Sequence, residues 1–367
     1  MSGSIRLQRL VAQGFRNLEP LDLSLDAPFV VLHGENAQGK TNALEAIWYL
    51  SALKALRTAR PRELVQWGRE DLALAGWTQA HGIVRHRRIE LVGGKRTVQL
   101  DGKGCSQLSE YFADLRAICF TPADGEIVSG GPDLRRRWVD RAAFTARPAH
   151  LDTVRDYGRA LLNKSALLRS DRPDHAVLDA LDAQLALLGA RLAERRARLL
   201  AELEPHVDAM YRALSDSDGH VQLALRTAAR GDDEASRVTT LVEVLGRARP
   251  VEVRRRRTLA GPQTDEVAIR LGGRPARRYA SRGQVRSLVL ALKLAELRAA
   301  RERGIVPLFL LDDLSSELDR GRTRRLVSLL ADLGAQVVAT TTDPEHLDAL
   351  PGADTLRLRV EGGRILA

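Results

Sequence analysis

Apolar and polar positions alternate at the start of the chain. Ile5 and Leu7 alternate with Arg6 and Gln8 before Leu10 and Val11, and Leu21, Leu23 and Leu25 alternate with Asp22, Ser24 and Asp26. A period of two puts every second side chain on one face, so two β-strands are predicted. The run Phe29-Val30-Val31-Leu32 is apolar throughout and nearly abuts Gly34, the pattern of a buried strand entering a glycine turn. Residues Asn42 to Ile47 then read as a helix. Between Asp71 and Gly102 the runs Arg88 to Val92 and Thr97 to Leu100 flank Gly93-Gly94, which predicts a hairpin in an antiparallel subsheet.

From Leu151 the period changes. Leu151, Val154, Gly158, Leu161, Ser165 and Leu168 step by three and four until Ser170-Asp171-Arg172-Pro173 breaks the series. Leu178, Leu181, Leu185, Leu188, Leu192 and Leu199 then keep heptad positions up to Pro205, with Arg195 as the exception. The pair reads as an antiparallel, coiled-coil-like helical hairpin or as two ordinary core-packed helices. Strand-like Leu308 to Leu311 and Val337 to Thr340 flank a helix rich in Leu and Arg, so α/β alternation resumes near the end. The expected fold class is therefore α/β: one α/β domain in two parts, residues 1–145 and 256–367, interrupted by a helical insert at 146–255.

Composition adds a polyanionic partner. The chain has 367 residues and a formal charge of +10, from 57 Lys and Arg against 47 Asp and Glu, with 44% hydrophobic content, enough for a sizeable core. Cys105 and Cys119 are too few for a disulfide framework or a zinc site. His81 and His86 lie at an odd spacing in a strand-like region, which puts them on opposite faces and favours surface or packing roles. No apolar run approaches the roughly 20 residues of a membrane span, and the first thirty residues lack a signal-peptide pattern, so a cytoplasmic protein without membrane contact is expected.

The candidate chemistry begins at Gly34-Glu35-Asn36-Ala37-Gln38-Gly39-Lys40-Thr41, which matches Gly-x-x-x-x-Gly-Lys-Thr between an apolar strand and a helix. Glycines let backbone amides curl around phosphate, the helix N-terminus adds its positive end, Lys40 reaches the β and γ oxygens, and Thr41 offers a hydroxyl to Mg²⁺. Leu308 to Leu311 delivers Asp312-Asp313. Asp312 is assigned to Mg²⁺, and Asp313 to orienting or deprotonating the attacking water; a capping pair at a strand end is the plainer alternative. Ser281-Arg282-Gly283-Gln284 opens a helix expected from Val285 to Arg298. Its serine and amides form either a second anion site, for the γ-phosphate on a partner molecule, or an ordinary helix cap.

In this order, the P-loop, Ser281 to Gln284, Asp312-Asp313 and Ser316-Glu317-Leu318-Asp319 resemble an ABC ATPase head. More narrowly, the chain resembles the RecF family of bacterial recombination-repair and replication proteins over nearly its whole length. Phe15-Arg16-Asn17, Thr121-Pro122, Gly130-Gly131-Pro132 with Arg135-Arg136, and Gly261-Pro262 with Asp265 carry that narrower likeness. The resemblance implies an ATP-dependent homodimer that binds duplex DNA and single-strand/duplex junctions and works with RecO and RecR to load RecA. It also implies that Lys40, Thr41 and Asp312 are nucleotide and Mg²⁺ ligands, that Ser281 acts across the dimer, and that Asp319 belongs to the loop joining the two sites.

Three departures from the wider ABC pattern stand out. Arg282 replaces a glycine, Asp313 stands where transporters have glutamate, and Thr340-Thr341-Thr342 occupies the switch region where they have histidine. A shorter acid and no histidine predict slow hydrolysis suited to a switch. For DNA, Arg254-Arg255-Arg256-Arg257 is the densest basic run, with Arg247, Arg249, Arg135 to Arg137 and Arg195-Arg196 as others; each suits phosphate contact or a solvated face. An aromatic content of 4% argues for duplex backbone over single strand alone. An ABC-transporter ATPase subunit is the alternative function, disfavoured by the helical insert and the basic balance. A GTPase would need an Asn-Lys-x-Asp motif.

Overall fold

The computed structural model describes residues 3–58, 60–215, 219–314, 319–343 and 354–366. The chain divides into two compact units. The first comprises Met1–Asp124, Ala213–Asp216 and Leu290–Ala367, and the second Gly125–Arg212 and Ser217–Val289.

Two six-stranded sheets of described residues frame the first unit. One runs in the order Arg364–Leu366, Thr355–Glu361, Phe29–His33, Val337–Thr341, Leu308–Leu311, Ala117–Phe120, with every pairing parallel except the terminal hairpin. Its central strands are buried on both faces, which is why Phe29 to Leu32 and Leu308 to Leu311 read as unbroken apolar runs. The other sheet is antiparallel, in the order Leu21–Ser24, Arg6–Gln13, Asp71–Ala80, Ile83–Val92, Lys95–Leu100, Lys103–Gly104. In its strand Arg6–Gln13 the register shifts between Leu7 and Arg9, and the extra residue turns both Leu7 and Leu10 inward. Gly93 and Gly94, both at positive φ, make the two-residue turn of the expected hairpin. The helix Lys40–Ala52 contacts both sheets and is buried nearly all round, so it lacks the polar face of a surface helix.

The second unit is mainly helical, with a small antiparallel sheet of Val221–Arg226, Glu266–Leu271 and Arg274–Pro275. The expected antiparallel pair is present as His150–Leu168 and His175–Leu214: Lys164 meets Asp182 near the turn, and Arg195 donates to Thr153 further along. Two details differ from the sequence reading. On the first helix Val154 and Leu161 of the predicted stripe pack half-buried against the core of Leu185, Ala186, Ala190 and Leu241, and Leu168 is buried, but the face is wider than predicted: Tyr157 and Ala160 are buried in that core, and Lys164 is buried between Asp182 and Glu252. The second helix also continues through Pro205 to Leu214. A mid-helix proline loses one hydrogen bond and crowds the preceding turn. Burial of Val207, Met210, Tyr211 and Leu214 beyond it, and carboxylates of Glu204 and Asp208 that accept from the amides of Leu223 and Val221, offset that cost.

Candidate functional site

The strand Phe29–His33 ends at Gly34, whose φ of +148° suits glycine, and where an added Cβ would meet the Val360 carbonyl oxygen at 2.4 Å. Ala37 holds φ +65° at the loop tip, and Gly39 at φ +113° caps the helix Lys40–Ala52. Glu35, Asn36 and Ala37 are exposed, and the helix N-terminus has no side-chain cap, so its first amides face the concavity of the loop. The loop is braced from the far end of the chain. Gly363 N donates to Gln38 O at 2.8 Å and Gly362 N to Gln38 Oε1 at 2.6 Å. Gly363 is itself fixed against Asn17, whose Oδ1 accepts from Asn42 at 2.6 Å.

Lys40 is 8% exposed, and its Nζ donates to the carbonyls of Gly34 at 2.7 Å and Glu35 at 2.5 Å. Burial pulls its pKa below the ordinary lysine value, and Asp313 and Asp312 partly restore it. Thr41 Oγ1 donates to Asp312 Oδ1 at 2.9 Å, and Thr340 Oγ1 donates to the same oxygen at 2.8 Å. The Asp313 amide donates to Thr340 Oγ1 at 2.8 Å, and Asp313 itself sits at φ +56°, a left-handed conformation that aspartate tolerates. Asp312 N donates to Phe120 O, so the strand Ala117–Phe120 also registers the carboxylate. Desolvation raises the Asp312 pKa; the two hydroxyls oppose it and Asp313 adds to it. Among the described residues its side-chain partners are hydroxyls, not cations.

The structure therefore brings Gly34 to Thr41, Asp312, Asp313 and Thr340 together. The bridging role of Thr340 was not legible, since the Thr340-Thr341-Thr342 run carries no local signal of which hydroxyl turns inward. Gly362-Gly363 was a missed turn signal between two alternating runs. A second ring of charge lies behind the loop: Glu45, fully buried, pairs with Arg16 at 3.0 Å and Arg57 at 2.9 Å and accepts from the Leu56 amide at 2.9 Å. Burial would raise this carboxyl, but the Arg16 and Arg57 hydrogen bonds outweigh it and hold it below the ordinary value.

Ser281, Gly283 and Gln284 lie in the second unit at the start of the helix Arg282–Glu302. Ser281 N donates to Gln284 Oε1 at 2.8 Å and Gln284 N to Ser281 Oγ at 3.3 Å, a reciprocal cap, while Ser281 and Arg282 remain exposed. Ser316, Glu317 and Leu318 lie outside the described residues; Asp319 caps the helix Arg320–Leu333, accepting from Arg322 N at 2.9 Å.

The basic runs separate by burial. Arg135 pairs with Glu266 at 2.7 Å, Arg196 with Asp140 at 2.7 Å and Asp265 at 2.9 Å, and Arg249 with Asp182 and with Asp179 at 3.1 Å; these three are 5%, 4% and 14% exposed and serve the fold. Arg254 to Arg257 are exposed, with Arg256 3.2 Å from Asp171.

Residues 6–360 match the RecF/RecN/SMC N terminal domain. The chain is 42% identical over 98% of its length, and 97% of the relative's, to the DNA replication and repair protein RecF of Myxococcus xanthus (strain DK1622). The chain belongs to the RecF family. A solved structure of the recombination mediator protein RecF-ATPrS in the RecFOR pathway superposes with a TM-score of 0.89 at 26% identity, over all of this chain and 98% of that one. A Smc head bound to the C-winged helix domain of ScpA, at 13% identity and a TM-score of 0.56 over 98% of this chain and 96% of that one, shares the fold. The RecF-family chain thus has the expected α/β architecture of an ABC-type head with an antiparallel subsheet and a long helical region. Among its described residues no helix is long and apolar enough to cross a membrane.

Proposed function

We propose that this RecF-family protein is an ATP-driven, DNA-binding switch of replication and recombinational repair. It dimerises on ATP at gapped or junction DNA and assists partners of the RecO and RecR kind in loading RecA. The observation that carries the reading is the buried Asp312 carboxylate, held by Thr41 and Thr340 beside a P-loop whose lysine lies within its field. The names of the relatives, which include a RecF with a bound ATP analogue, support it.

The residues fit ATP with Mg²⁺. The uncapped helix N-terminus and the loop amides suit a phosphate chain, and the Thr41 hydroxyl beside the Asp312 carboxylate suits a hard cation. Bound magnesium supplies charge neutralisation at the γ-phosphate. Lys40 exchanges its two carbonyl partners for phosphate oxygens, so the loop that now accepts from it is freed to adjust. Thr340, by donating to Asp312 and accepting from the Asp313 amide, favours the ionised carboxylate against the effect of burial and sets the angle of Asp313, which orients the attacking water. Ser281 and the amides of Gly283 and Gln284 meet the γ-phosphate of the partner copy, breaking the reciprocal cap to do so. The exposed Arg254 to Arg257 run contacts DNA phosphates without reading bases.

The test is nucleotide-dependent. Wild-type protein with ATP and Mg²⁺ is expected to dimerise by sedimentation and to retain duplex DNA, with slow hydrolysis that DNA stimulates. Lys40→Arg binds nucleotide yet turns over about 100-fold more slowly, the effect of misplacing one electrostatic group. Charge reversal of Arg254 to Arg257 weakens DNA binding about tenfold or more and flattens its salt dependence. A protein that stays monomeric with ATP and ignores duplex DNA removes the reading, and hydrolysis indifferent to DNA returns the transporter alternative.

A further inference from the structure

Trp67 is 99% exposed, while the other large apolar side chains at the surface retain part of their cover, as with Val92 at 61% and Ile83 at 57%. The exposure does not come from a loose loop. Val65 forms a β-bridge with Phe15, Gln66 N donates to Gly14 O at 2.8 Å, Arg69 N donates to Gln66 O at 3.0 Å, and Leu64 is fully buried beneath. The backbone that carries the exposed indole is thus pinned by hydrogen bonds. Trp77, on the neighbouring antiparallel sheet, shows what this unit does with an indole it uses internally: the Arg9 guanidinium lies 4.7 Å from its ring and the His86 ring 4.5 Å away. Among the described residues no ring or guanidinium stacks on Trp67.

The surroundings select the kind of partner. Residues 54–71 contain five basic side chains, Lys54, Arg57, Arg60, Arg62 and Arg69, against Glu63, Glu70 and Asp71; Arg57, Arg60 and Arg69 pair with Glu45, Glu63 and Asp71, yet keep 50%, 85% and 44% of their side-chain surface exposed, so each can still meet a phosphate. Arg62 donates to Gly93 O at 3.2 Å, which joins the exposed hairpin tip and Lys95 to the same edge. A protein-docking patch would surround an exposed indole with further apolar surface, whereas here its chain neighbours are Gly68, Arg69 and Glu70, all exposed. One exposed π-face on a segment that also carries solvent-facing guanidinium groups matches a nucleotide: a base to stack on and phosphates to neutralise.

We infer that Trp67 stacks on an unpaired base of single-stranded DNA next to a duplex, with the basic loop around it holding the flanking phosphates. This rests on the DNA-binding reading above and makes Trp67 the element that separates a gapped substrate from a fully paired one. A duplex offers no free base face, so the residue acts only where pairing is interrupted.

The test measures anisotropy of labelled gapped and fully paired DNA of equal length, with the full chain, ATP and Mg²⁺. Trp67→Ala is expected to weaken binding to gapped DNA about tenfold or more, the size of one lost base stack, and to leave fully paired DNA within about twofold. Trp67→Phe, which keeps a ring, retains most of the affinity for gapped DNA. Equal loss on both substrates, no loss on either, or a change in self-association by sedimentation without a change on gapped DNA overturns the inference. A wild-type protein that retains neither DNA instead defeats the DNA-binding reading, and this inference with it.

Discussion

Buried carboxylates are handled in opposite ways in the two units. In the helical unit, Asp182 and Glu252 each lie 2.6 Å from the fully buried Lys164 ammonium, and Arg249 approaches Asp182 as well. Asp140 would be pushed up by burial, but hydrogen bonds from Arg196 and His150 outweigh it and hold the carboxyl below its ordinary value. Every one of these acids has a cation from the same chain. In the P-loop unit, Asp312 is 7% exposed and receives two hydroxyls, and burial leaves its pKa raised. The lesson concerns role: an acid neutralised by its own chain is structural, and an acid kept ionisable by weak neutral donors in a buried place suits an external cation. Glu45, a few residues from the P-loop lysine and clasped by Arg16 and Arg57, shows that the second unit has no monopoly on the first solution.

The comparison can be broken most severely at Lys164. Lys164→Met leaves Asp182 and Glu252 facing each other without their shared cation, and a loss of about 3–5 kcal/mol is expected in chemical denaturation. A loss under about 1 kcal/mol would mean the cluster is solvated and the contrast false. Next comes Asp312→Asn, which keeps an acceptor for both hydroxyls: hydrolysis should fall about 100-fold or more, since charge stabilisation by a bound cation is worth several kcal/mol. The same change should raise the Tm of the nucleotide-free protein by about 1–3 °C, as relief of a destabilised site does; a lower Tm would place Asp312 among the structural acids. Removing the Thr340 hydroxyl with Thr340→Val is smaller still, about 1–2 kcal/mol of lost hydrogen bonding and roughly tenfold in hydrolysis.

The smallest expected effect is the pH dependence. The fold raises the Asp312 pKa, so the folded chain holds that proton more tightly than the unfolded one. Its contribution to stability is present at low pH and is lost as pH rises through the raised value. Glu45, with its lowered pKa, contributes stability that is present above the ordinary carboxylate range and is lost as pH falls through the lowered value. The Tm advantage of Asp312→Asn over wild type should therefore grow as pH rises from the acid side toward neutrality. A gap that shrinks over that range would reverse the sign assigned to Asp312.

The parallel sheet's core strands, the Gly93-Gly94 hairpin and the helical pair were all legible, because each is a pattern complete within one short segment. The P-loop was legible for the same reason, as were Asp312 and Asp313 at the end of an apolar run. The burial of Lys164 on the helix His150–Leu168 was not, since a lysine reads as a surface residue and only its partners Asp182 and Glu252, on two other helices, make it a core residue. Pro205 misled in the same way: its local cost is real, but the apolar residues beyond it are buried by contacts that no window around the proline contains.

What the sequence by itself determined is chemistry bound to local geometry: glycines that allow a tight turn at positive φ, a lysine and threonine at a helix start, two acids delivered by a strand. What only the tertiary structure decided is partnership. Thr41 meets Asp312 across 271 residues of chain, and Thr340 alone in its run of three threonines reaches that carboxylate. The arginine runs look alike in one dimension, yet Arg135, Arg196 and Arg249 close internal ion pairs while Arg254 to Arg257 face solvent. The reason is physical: backbone conformation is set by neighbours within a few residues, whereas the energy of a charge depends on burial and on counterions that folding brings from anywhere in the chain.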